Sequence, residues 1–256
     1  MESLKNKIVF VTGASSGIGR ACAEQFAALG ANLILCARRE NLLEKFAAHL
    51  KKKYKVMVLS AVLDVRNKNQ VISFIDSLKI QWKKIDVLVN NAGLARGLAP
   101  LHEDDIDNWE EMIDTNVKGL LYVTRAVAPL MEKRKKGHII NIGSIAGREV
   151  YPKGGVYCGT KHAVYAITKA LRMDLVEKNI RVSTVDPGMV ETEFSIVRFH
   201  GDEQKAGGVY KGLKPLSAQD IAEAVIYMAT RPAHVNIAEM VLLPTRQASA
   251  TVVHRD

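Results

Sequence analysis

Three side chains that together can move a proton stand near one another in the sequence, namely Ser144, Tyr157 and Lys161. Tyr157 and Lys161 are four residues apart, so on a helix their side chains share one face. A free phenol has a pKa of about 10 and accepts protons poorly near neutral pH. An ammonium group held nearby favours the phenolate and moves its pKa towards the range where acid–base catalysis works. The spacing favours a proton-transfer site, although any amphipathic helix can carry Tyr and Lys four apart.

A glycine-rich stretch near the N-terminus is typical of a phosphate-binding turn. It follows an apolar run, precedes a helical pattern, and consists of Thr12, Gly13, Ala14, Ser15, Ser16, Gly17, Ile18 and Gly19. Glycines allow the backbone to turn tightly and to approach a pyrophosphate, which then faces the positive end of the helix. This context, between a strand and a helix, predicts a dinucleotide cofactor.

The residues that follow the second predicted strand indicate which dinucleotide is bound. In nucleotide-binding folds of this kind, an acidic residue about 20 positions after the glycine turn binds the ribose 2′-hydroxyl of NAD. Here that place holds Arg38 and Arg39 and no carboxylate. Guanidinium groups bind phosphate oxygens bidentately, so the pair favours the 2′-phosphate of NADP. The competing interpretation is that both arginines are solvated residues of a turn.

These residues lie within an alternation of apolar strands and amphipathic helices. The strands are predicted over Lys7–Thr12, Asn32–Ala37, Val56–Leu63, Ile85–Val89, His138–Ile142, Arg181–Val185 and Ala238–Leu243. The helices are predicted over Arg20–Leu29, Glu40–Tyr54, Lys68–Gln81, Asp107–Lys133, Val156–Glu177 and Ala218–Ala229. Such alternation predicts an α/β fold, a doubly wound Rossmann-type parallel sheet of about seven strands with helices on both faces.

The length of 256 residues suits a single cofactor-binding domain, 1–256, without an internal linker. The longest irregular stretch, about 189–216, carries four glycines and is predicted to be a substrate loop. In a parallel sheet, ligands bind beyond the carboxyl ends of the strands. Gly13, Asp64, Asn91, Ser144 and Pro187 all fall at such ends, so we expect them to meet in one site.

Composition restricts the partners and the compartment. The net charge is +9, but the basic residues are spread along the chain and mostly fall at predicted helix ends, where they complement the helix dipole. Without a nucleic-acid motif beside the charge, no nucleic-acid partner is expected. No apolar run is long enough to span a membrane, and no signal-peptide pattern is present. Three cysteines without metal or disulfide spacing favour a reducing cytoplasm and no metal site.

The order of motifs along the chain resembles that of the short-chain dehydrogenases/reductases, over essentially the whole length. The motifs are Thr12-Gly13-x-x-x-Gly17-x-Gly19, Asn90-Asn91-Ala92-Gly93, Asn116, Ser144, Tyr157-x-x-x-Lys161 and Asp186-Pro187-Gly188. Shorter stretches resemble NADP-dependent 3-hydroxy acid dehydrogenases, which oxidise serine, allo-threonine and 3-hydroxyisobutyrate-like acids. These stretches are Asn91-Ala-Gly-Leu-Ala, Trp109-Glu-x-Met-Ile-Asp-Thr-Asn116, Val197-Arg-Phe-x-Gly-Asp202 and Pro232-Ala-His-Val-Asn236.

The resemblance implies a role for each matching residue. Tyr157 would be the general acid/base, Ser144 would bind the substrate oxygen, and Lys161 would lower the tyrosine pKa and bind the nicotinamide ribose. Asn116 would hold a water of a proton relay. The remaining cofactor contacts would come from Asp64, Val65, Asn91, Ala92, Gly93, Pro187, Gly188, Met189, Val190, Thr192 and Phe194. The resemblance also implies a homotetramer, with the predicted helices 107–133 and 156–177 and the strand 238–243 as the candidate contacts.

Four cations in the segments expected on the substrate side suggest an anionic substrate: Arg96, Arg148, Lys153 and Arg198. An arginine can hold a carboxylate bidentately and so position the neighbouring carbon for reaction. We expect Arg198 to do this first, because it lies in the stretch resembling hydroxy acid dehydrogenases, and Arg148 second.

Two other functions remain open at this point. The same chemistry would serve an NADPH-dependent reductase of another small carbonyl, such as a sulfonated aldehyde or a ketone. A protein of another class, a non-catalytic NADP-binding sensor, could use the same fold. The intact set of Asn116, Ser144, Tyr157 and Lys161 argues against the sensor, since binding alone needs no proton relay.

Overall fold

The structure is a computed structural model that describes residues 2–256; Met1, with which the expected domain starts, lies outside the described residues. Its strands are β1 (Ile8–Thr12), β2 (Asn32–Ala37), β3 (Val58–Val62), β4 (Ile85–Asn90), β5 (Gly137–Ile142), β6 (Ile180–Pro187), β7 (Val190–Glu191), β8 (Leu216–Ser217) and β9 (Glu239–Leu242). Its helices are α1 (Gly17–Ala28), α2 (Glu40–Tyr54), α3 (Lys68–Ser77), α4 (Ile106–Ile113), α5 (Leu120–Glu132), α6 (Gly155–Asp174), α7 (Phe194–Arg198), α8 (Glu203–Gly208) and α9 (Ala218–Ala229).

Seven parallel strands form one sheet in the order β3-β2-β1-β4-β5-β6-β9. Alternate residues of the strands face opposite sides of the sheet, so each side needs its own apolar cover. On one side Val9 and Leu33 pack with α1, α2 and α9. On the other side Phe10 and Ile34 pack with α3 and α5. The predicted doubly wound Rossmann-type fold is confirmed.

The predicted helix over 107–133 is wrong in one respect, because α4 and α5 are separated by a π-helical turn, Asp114–Gly119. This turn contains Asn116, whose side chain bonds the backbone of Leu94 in both directions, at 2.8 Å each. π-turns inside helices occur frequently at functional sites. The hydrophobic period continues through the turn, which is why periodicity alone predicts one unbroken helix.

The stretch predicted as a substrate loop, 189–216, contains short elements rather than only irregular chain. β7, at the start of this stretch, pairs with β8, which begins at its last residue, Leu216. α7 and α8 lie between these two strands. This segment crosses above the carboxyl ends of the sheet, where the order of strands reverses between β1 and β4. In doubly wound folds this reversal opens the crevice in which ligands bind.

Candidate active site

A cavity of about 790 Å³ opens at the carboxyl ends of the strands and runs from the glycine turn to the segment that contains α7. Most of the residues predicted for the cofactor line it: Gly13, Ser15, Ser16, Gly17, Ile18, Arg38, Arg39, Asp64, Val65, Asn91, Ala92, Gly93, Tyr157, Lys161, Pro187, Gly188, Met189, Val190, Thr192 and Phe194. Ser144 and Arg198 line it as well. Four predicted site residues are not on its wall: Ala14, Gly19, Asn116 and Arg148.

The glycine turn joins β1 to α1 and forms one end of the cavity. Gly13 adopts a φ of +65°, which side chains rarely tolerate. Gly19 lies beneath the turn, where a Cβ would stand 2.4 Å from the Asn91 side chain and 2.5 Å from the Gly13 carbonyl oxygen. The absence of a side chain at Gly19 therefore allows this close packing. Ala14 is likewise fully buried, and its amide donates to the Cys36 carbonyl at 3.1 Å.

Asn91 fixes the floor of this end of the cavity. Its side-chain amide donates to the carbonyl oxygens of Thr12, at 2.9 Å, and Gly13, at 3.2 Å. The Thr12 hydroxyl oxygen in turn accepts from the backbone amides of Asn91 and Ala92, at 3.0 and 2.9 Å. These bonds hold the ends of β1 and β4 together. The glycine turn and the Asn91–Gly93 segment are thus a preformed wall.

Arg38 and Arg39 lie at the mouth of the cavity beside the glycine turn, each side chain about half exposed. Arg39 donates to the Ser16 hydroxyl at 2.6 Å and forms an ion pair with Glu193 at 2.8 Å. Arg38 meets Glu111 at 3.4 Å. Hydroxyls and guanidinium groups gathered at one point suit a phosphate group. The pairing with two carboxylates was not predicted, since Glu111 and Glu193 are distant from the arginines in sequence.

Asp64 and Val65 line the cavity after β3. Arg66 donates two hydrogen bonds to the Asp64 carboxylate, from its Nη2 at 2.6 Å and from its Nε at 3.0 Å. Burial acts to raise the pKa of Asp64, but the Arg66 hydrogen bonds outweigh it and the pKa is lowered. Asp64 is therefore an anion held in place. Arg66 was not predicted as part of the site.

The three proton-handling residues meet at the inner end of the cavity. Ser144 follows β5, and Tyr157 and Lys161 lie one turn apart in α6; all three are less than a tenth exposed. The Lys161 ammonium donates to the Ile142 carbonyl at 3.0 Å and lies 5.9 Å from the centre of the Tyr157 ring. The Ser144 hydroxyl accepts from the Ala146 amide at 3.1 Å. The predicted convergence of these residues is therefore present in the structure.

The protein alone does not lower the pKa of Tyr157, contrary to the expectation from the Tyr–Lys spacing. Burial raises this pKa, with the neighbouring Tyr151 adding to it, while Arg198 and a Ser144 hydrogen bond oppose the change. Burial also lowers the pKa of Lys161 to about 8, against the pull of Asp186. Desolvation is therefore the largest influence on the pKa of each group. Tyr157 is held as a protonated phenol, the form that can donate.

The Asn116 side chain does not reach the cavity. It is 2% exposed, and besides its two bonds to Leu94 its amide nitrogen donates to the Thr160 hydroxyl at 3.1 Å. All of its donor and acceptor functions thus have protein partners. These bonds hold together the segment after β4, the π-turn and α6, and the predicted role of Asn116 in holding a water stays a prediction.

Arg198 lies over Tyr157 from the α7 side. Its guanidinium carbon is 5.2 Å from the centre of the Tyr157 ring and 5.7 Å from that of Phe194. Its Nη2 donates to the Tyr151 hydroxyl at 2.6 Å, while its Nε is buried and has no hydrogen-bond partner within residues 2–256. Tyr151 was not predicted as a site residue, although its position in the sequence between Ser144 and Tyr157 could have indicated it.

Of the other three cations expected on the substrate side, two lie off the cavity wall and the third is paired with a carboxylate. Arg148 is not on the cavity, because its Nε binds Asp186 at 2.8 Å and its Nη2 binds Glu239 at 2.6 Å. The structure therefore does not bring Arg148 together with the other predicted substrate residues, because these two carboxylates hold its guanidinium. Lys153 is exposed and also off the cavity wall. Arg96 lines the cavity, but its Nε pairs with Glu111 at 2.6 Å.

The C-terminal segment supplies part of the cavity wall that sequence reasoning missed. Gln247, Ala250, Thr251, Val253 and Arg255 line the cavity. The Gln247 side-chain oxygen accepts from the Met189 amide at 2.8 Å, which ties the segment to the end of β6. A polar stretch after the last strand has no periodicity, so its sequence carries little signal for such a role.

Within residues 2–256 no cluster of three or more His, Cys, Asp or Glu side chains is arranged to hold a metal ion. In the same residues no helix is both long and apolar enough to cross a membrane. The three cysteines are free and buried.

Comparison with known proteins identifies the class: residues 7–202 match the short chain dehydrogenase family, and the chain belongs to it. It is 47% identical over its full length to an NADP-dependent 3-hydroxy acid dehydrogenase of Schizosaccharomyces pombe, of which it covers 99%. It is 47% identical, over 97% of the chain and 99% of the relative, to sulfoacetaldehyde reductase 2 of Chromohalobacter salexigens. Its structure resembles the closed form of a serine dehydrogenase complexed with NADP⁺, with a TM-score of 0.91, 45% identity and coverage of 97% of this chain and all of that one.

Proposed function

We propose that this protein is an oxidoreductase that transfers a hydride between NADP(H) and a short 3-hydroxy acid, such as serine, allo-threonine or a 3-hydroxyisobutyrate-like acid, or its semialdehyde or keto form. The observation that carries the proposal is one continuous cavity with Arg38 and Arg39 at its mouth, Tyr157 at its inner end and Arg198 above that tyrosine. The relatives named for NADP-dependent hydroxy acid chemistry support it.

The residues present fit NADP. Gly13 and Gly17, both at positive φ, leave the glycine turn free of side-chain bulk at the start of α1, where a pyrophosphate is stabilised. Arg38 and Arg39 would hold the 2′-phosphate, and Lys161 and Asn91–Gly93 would lie beside the nicotinamide ribose. When bound, the cofactor supplies the hydride chemistry. The protein must orient the substrate and move one proton.

Tyr157 and Ser144 would carry that proton transfer. The Tyr157 hydroxyl, whose burial raises its pKa further above neutral pH, would donate its proton to the substrate oxygen in the reducing direction. The Ser144 hydroxyl, fixed by the Ala146 amide, holds the same oxygen. Lys161 places a positive charge beside the ring and stabilises the phenolate left behind. Asn116 positions the helices that carry this set.

Arg198 supports an anionic substrate. Its buried and unpartnered Nε, together with its bond to Tyr151, leaves a fixed guanidinium facing the cavity beside Tyr157. A carboxylate bound there would place the adjoining hydroxyl-bearing carbon near the phenol. A sulfonate offers similar oxygens, so a sulfonated aldehyde is the second candidate, and the similarity to a sulfoacetaldehyde reductase favours it specifically.

A panel assay tests the proposal. Purified protein is mixed with NADPH and, in turn, a 3-oxo acid (a semialdehyde), a sulfonated aldehyde and a neutral aldehyde of equal length. Reverse reactions use NADP⁺ with serine and 3-hydroxyisobutyrate. We expect the anionic compounds to react with a higher kcat/KM than the neutral one. NADPH binding without turnover of any compound would instead support the sensor.

We propose that the protein assembles as a homotetramer and acts in the cytoplasm. Exposed apolar side chains on α4, α5 and α6 support an interface, among them Ile106, Leu121 and Met173. Val241 of β9 is also exposed. Light scattering at micromolar concentration should give a mass four times that of the chain, and a monomeric mass contradicts the assembly. The free cysteines support a reducing compartment, which cell fractionation would test.

A further inference from the structure

The arginine pair at the mouth of the cavity is connected to the segment that carries Arg198. Arg39 binds the Ser15 and Ser16 hydroxyls with Nη2 and the Glu193 carboxylate with Nη1, at 2.8 Å. Glu193 immediately precedes α7. One guanidinium thus touches both the glycine turn and the start of the substrate-side helix.

A second connection runs from Arg38 to the same helix. Arg38 contacts Glu111 at 3.4 Å, and Glu111 also binds Arg96 at 2.6 Å. Arg96 donates through its Nη1 to the carbonyl oxygen of Val197, at 2.6 Å. Both arginines are therefore linked to the segment of α7 through a carboxylate. Arg39 is linked directly through Glu193. Arg38 is linked through Glu111 and Arg96, which binds the Val197 carbonyl.

A 2′-phosphate would meet these carboxylates at the same guanidinium groups. It carries a charge near −2 at neutral pH and offers three acceptor oxygens, whereas Glu193 carries −1. Two anions brought to one arginine repel each other, and the Arg39–Glu193 pair is about half exposed on both sides, so it is a weak pair. The phosphate has the advantage in this competition.

We propose that Glu193 is an intramolecular competitor of the 2′-phosphate for Arg39, and that occupation of Arg39 by the phosphate releases the start of α7. The inference rests on the proposed role of Arg38 and Arg39. Phosphate recognition at the cavity mouth is thereby coupled to the segment that holds Phe194 and Arg198 over Tyr157. NAD, which lacks the phosphate, leaves the Glu193 contact in place.

Thermodynamic linkage requires a reciprocal effect of the Glu193 contact on phosphate binding. If the phosphate breaks the Glu193 contact, then removal of that contact must strengthen phosphate binding by the same factor. Exposed ion pairs correspond to at most about a fivefold change in an equilibrium constant. We therefore expect Glu193→Gln to tighten the binding of a 2′-phosphorylated ligand about two- to fivefold, without changing the affinity of its unphosphorylated counterpart.

Calorimetry with two matched nucleotides measures this effect without turnover. Adenosine 2′,5′-bisphosphate and adenosine 5′-monophosphate differ only in the 2′-phosphate. Glu191→Gln is the matched control, because Glu191 is exposed, two residues away, and without an ion pair in the described part of the chain. It removes the same charge but not the contact. A general electrostatic effect would appear in both variants, whereas competition predicts a larger change in Glu193→Gln.

Hydrogen exchange of the peptide 190–199 gives the second readout. In the wild type we expect faster exchange with the bisphosphate than with the monophosphate, and in Glu193→Gln fast exchange with both. Equal exchange in the wild type with the two nucleotides, or equal affinity changes in the two variants, overturns the inference alone. Equal wild-type affinity for both nucleotides overturns the phosphate role of Arg38 and Arg39 and the inference with it.

Discussion

The guanidinium carbon of Arg198 lies 5.2 Å from the centre of the Tyr157 ring, and its Nη2 donates to Tyr151 at 2.6 Å. A cation over a phenol ring favours the phenolate and here opposes the burial that raises the pKa of Tyr157. The same guanidinium lines the cavity, where we propose that it binds an anionic substrate. On that proposal, substrate binding and proton donation would depend on one pair of side chains in contact.

The substitution Tyr157→Phe should reduce turnover by about a hundredfold or more, because it removes the hydroxyl that donates the proton. The ring and its edge-on packing against Phe194, 5.6 Å between centres, are retained. NADPH affinity, measured by fluorescence titration, should therefore stay nearly unchanged. A residual rate within about tenfold of the wild type would assign proton donation to another group.

The double substitution of Arg38 and Arg39 by Ala should abolish the preference for NADP over NAD. Each charge-assisted hydrogen bond to the 2′-phosphate contributes about 1.5–3 kcal/mol, while NAD makes no such bonds. Steady-state kcat/KM with both cofactors measures the preference. The role of the pair is refuted if the wild type uses both equally, or if the double variant keeps its preference for NADP.

Lys161→Met should stabilise the protein at pH 7 while it removes activity. Burial lowers the pKa of Lys161 from 10.5 to about 8, so at pH 7 the folded protein holds a desolvated ammonium. Each unit of that shift corresponds to about 1.4 kcal/mol, which the lost bond to Ile142 partly offsets. An increase of about 1–3 kcal/mol in the free energy of unfolding is expected.

The pH dependence of this effect has a definite sign. Between pH 8 and 10.5 the unfolded chain binds the Lys161 proton more fully than the folded chain. The wild-type stability should therefore rise with pH in this window relative to the Met variant. Urea denaturation at several pH values checks this, and a constant difference would show that Lys161 is not desolvated.

His138 should make the fold sensitive to acid. Burial, with the Arg181 guanidinium adding to it, holds the pKa of His138 well below its usual value. The Nε2 contacts the Ser183 hydroxyl at 2.8 Å, and the buried Nδ1 has no hydrogen-bond partner in the described part of the chain. The folded state thus keeps His138 neutral, whereas the unfolded chain protonates it below about pH 6.5.

The stability supplied by neutral His138 is full above pH 6.5 and falls below it, by about 1.4 kcal/mol for each pH unit. His138→Asn, which keeps a polar group for Ser183, should make the stability profile shallower between pH 6.5 and 5. His234→Asn, at an exposed site without an ion pair in the described part of the chain, is the matched control and should leave the profile unchanged. Identical profiles for all three proteins would exclude His138 as the acid-sensitive group.

The sequence predicted those parts of the protein that follow from local patterns. The apolar strands and the glycine turn sit where periodicity and backbone geometry require them, so the fold and the cavity wall were accessible. Pairings between distant residues were not. Arg148 is neutralised by Asp186 and Glu239, which are 38 and 91 residues away, and no local pattern indicates such contacts.

The same reason explains two other differences, the direction of the Tyr157 pKa shift and the π-turn in the predicted helix over 107–133. The Tyr157–Lys161 spacing predicts attraction between the two groups, but the degree of burial that outweighs it depends on packing from α7 and from Tyr151. The π-turn at Asn116 depends on its bonds to Leu94, on a different element. Desolvation and long-range hydrogen bonds are properties of the folded chain and not of its local sequence.

Arg198→Leu should remove the preference for an anionic substrate. In the wild type, serine or 3-hydroxyisobutyrate should be oxidised more efficiently than its methyl ester, because only the acid can bind the guanidinium beside Tyr157. The variant should lower kcat/KM for the acid by about tenfold or more, the loss expected for a hydrogen bond to a charged group, and leave the ester almost unaffected.

Tyr151→Phe distinguishes the charge of Arg198 from its placement. This variant keeps the aromatic ring near the guanidinium, at 5.8 Å, and removes the hydroxyl that accepts from Nη2. We expect a smaller loss than in Arg198→Leu, mainly in KM, with the preference for the acid retained. If the wild type oxidises ester and acid equally, the substrate is not recognised as an anion. If the acid is preferred and Arg198→Leu keeps that preference, Arg96 becomes the group to substitute, because it also lines the cavity.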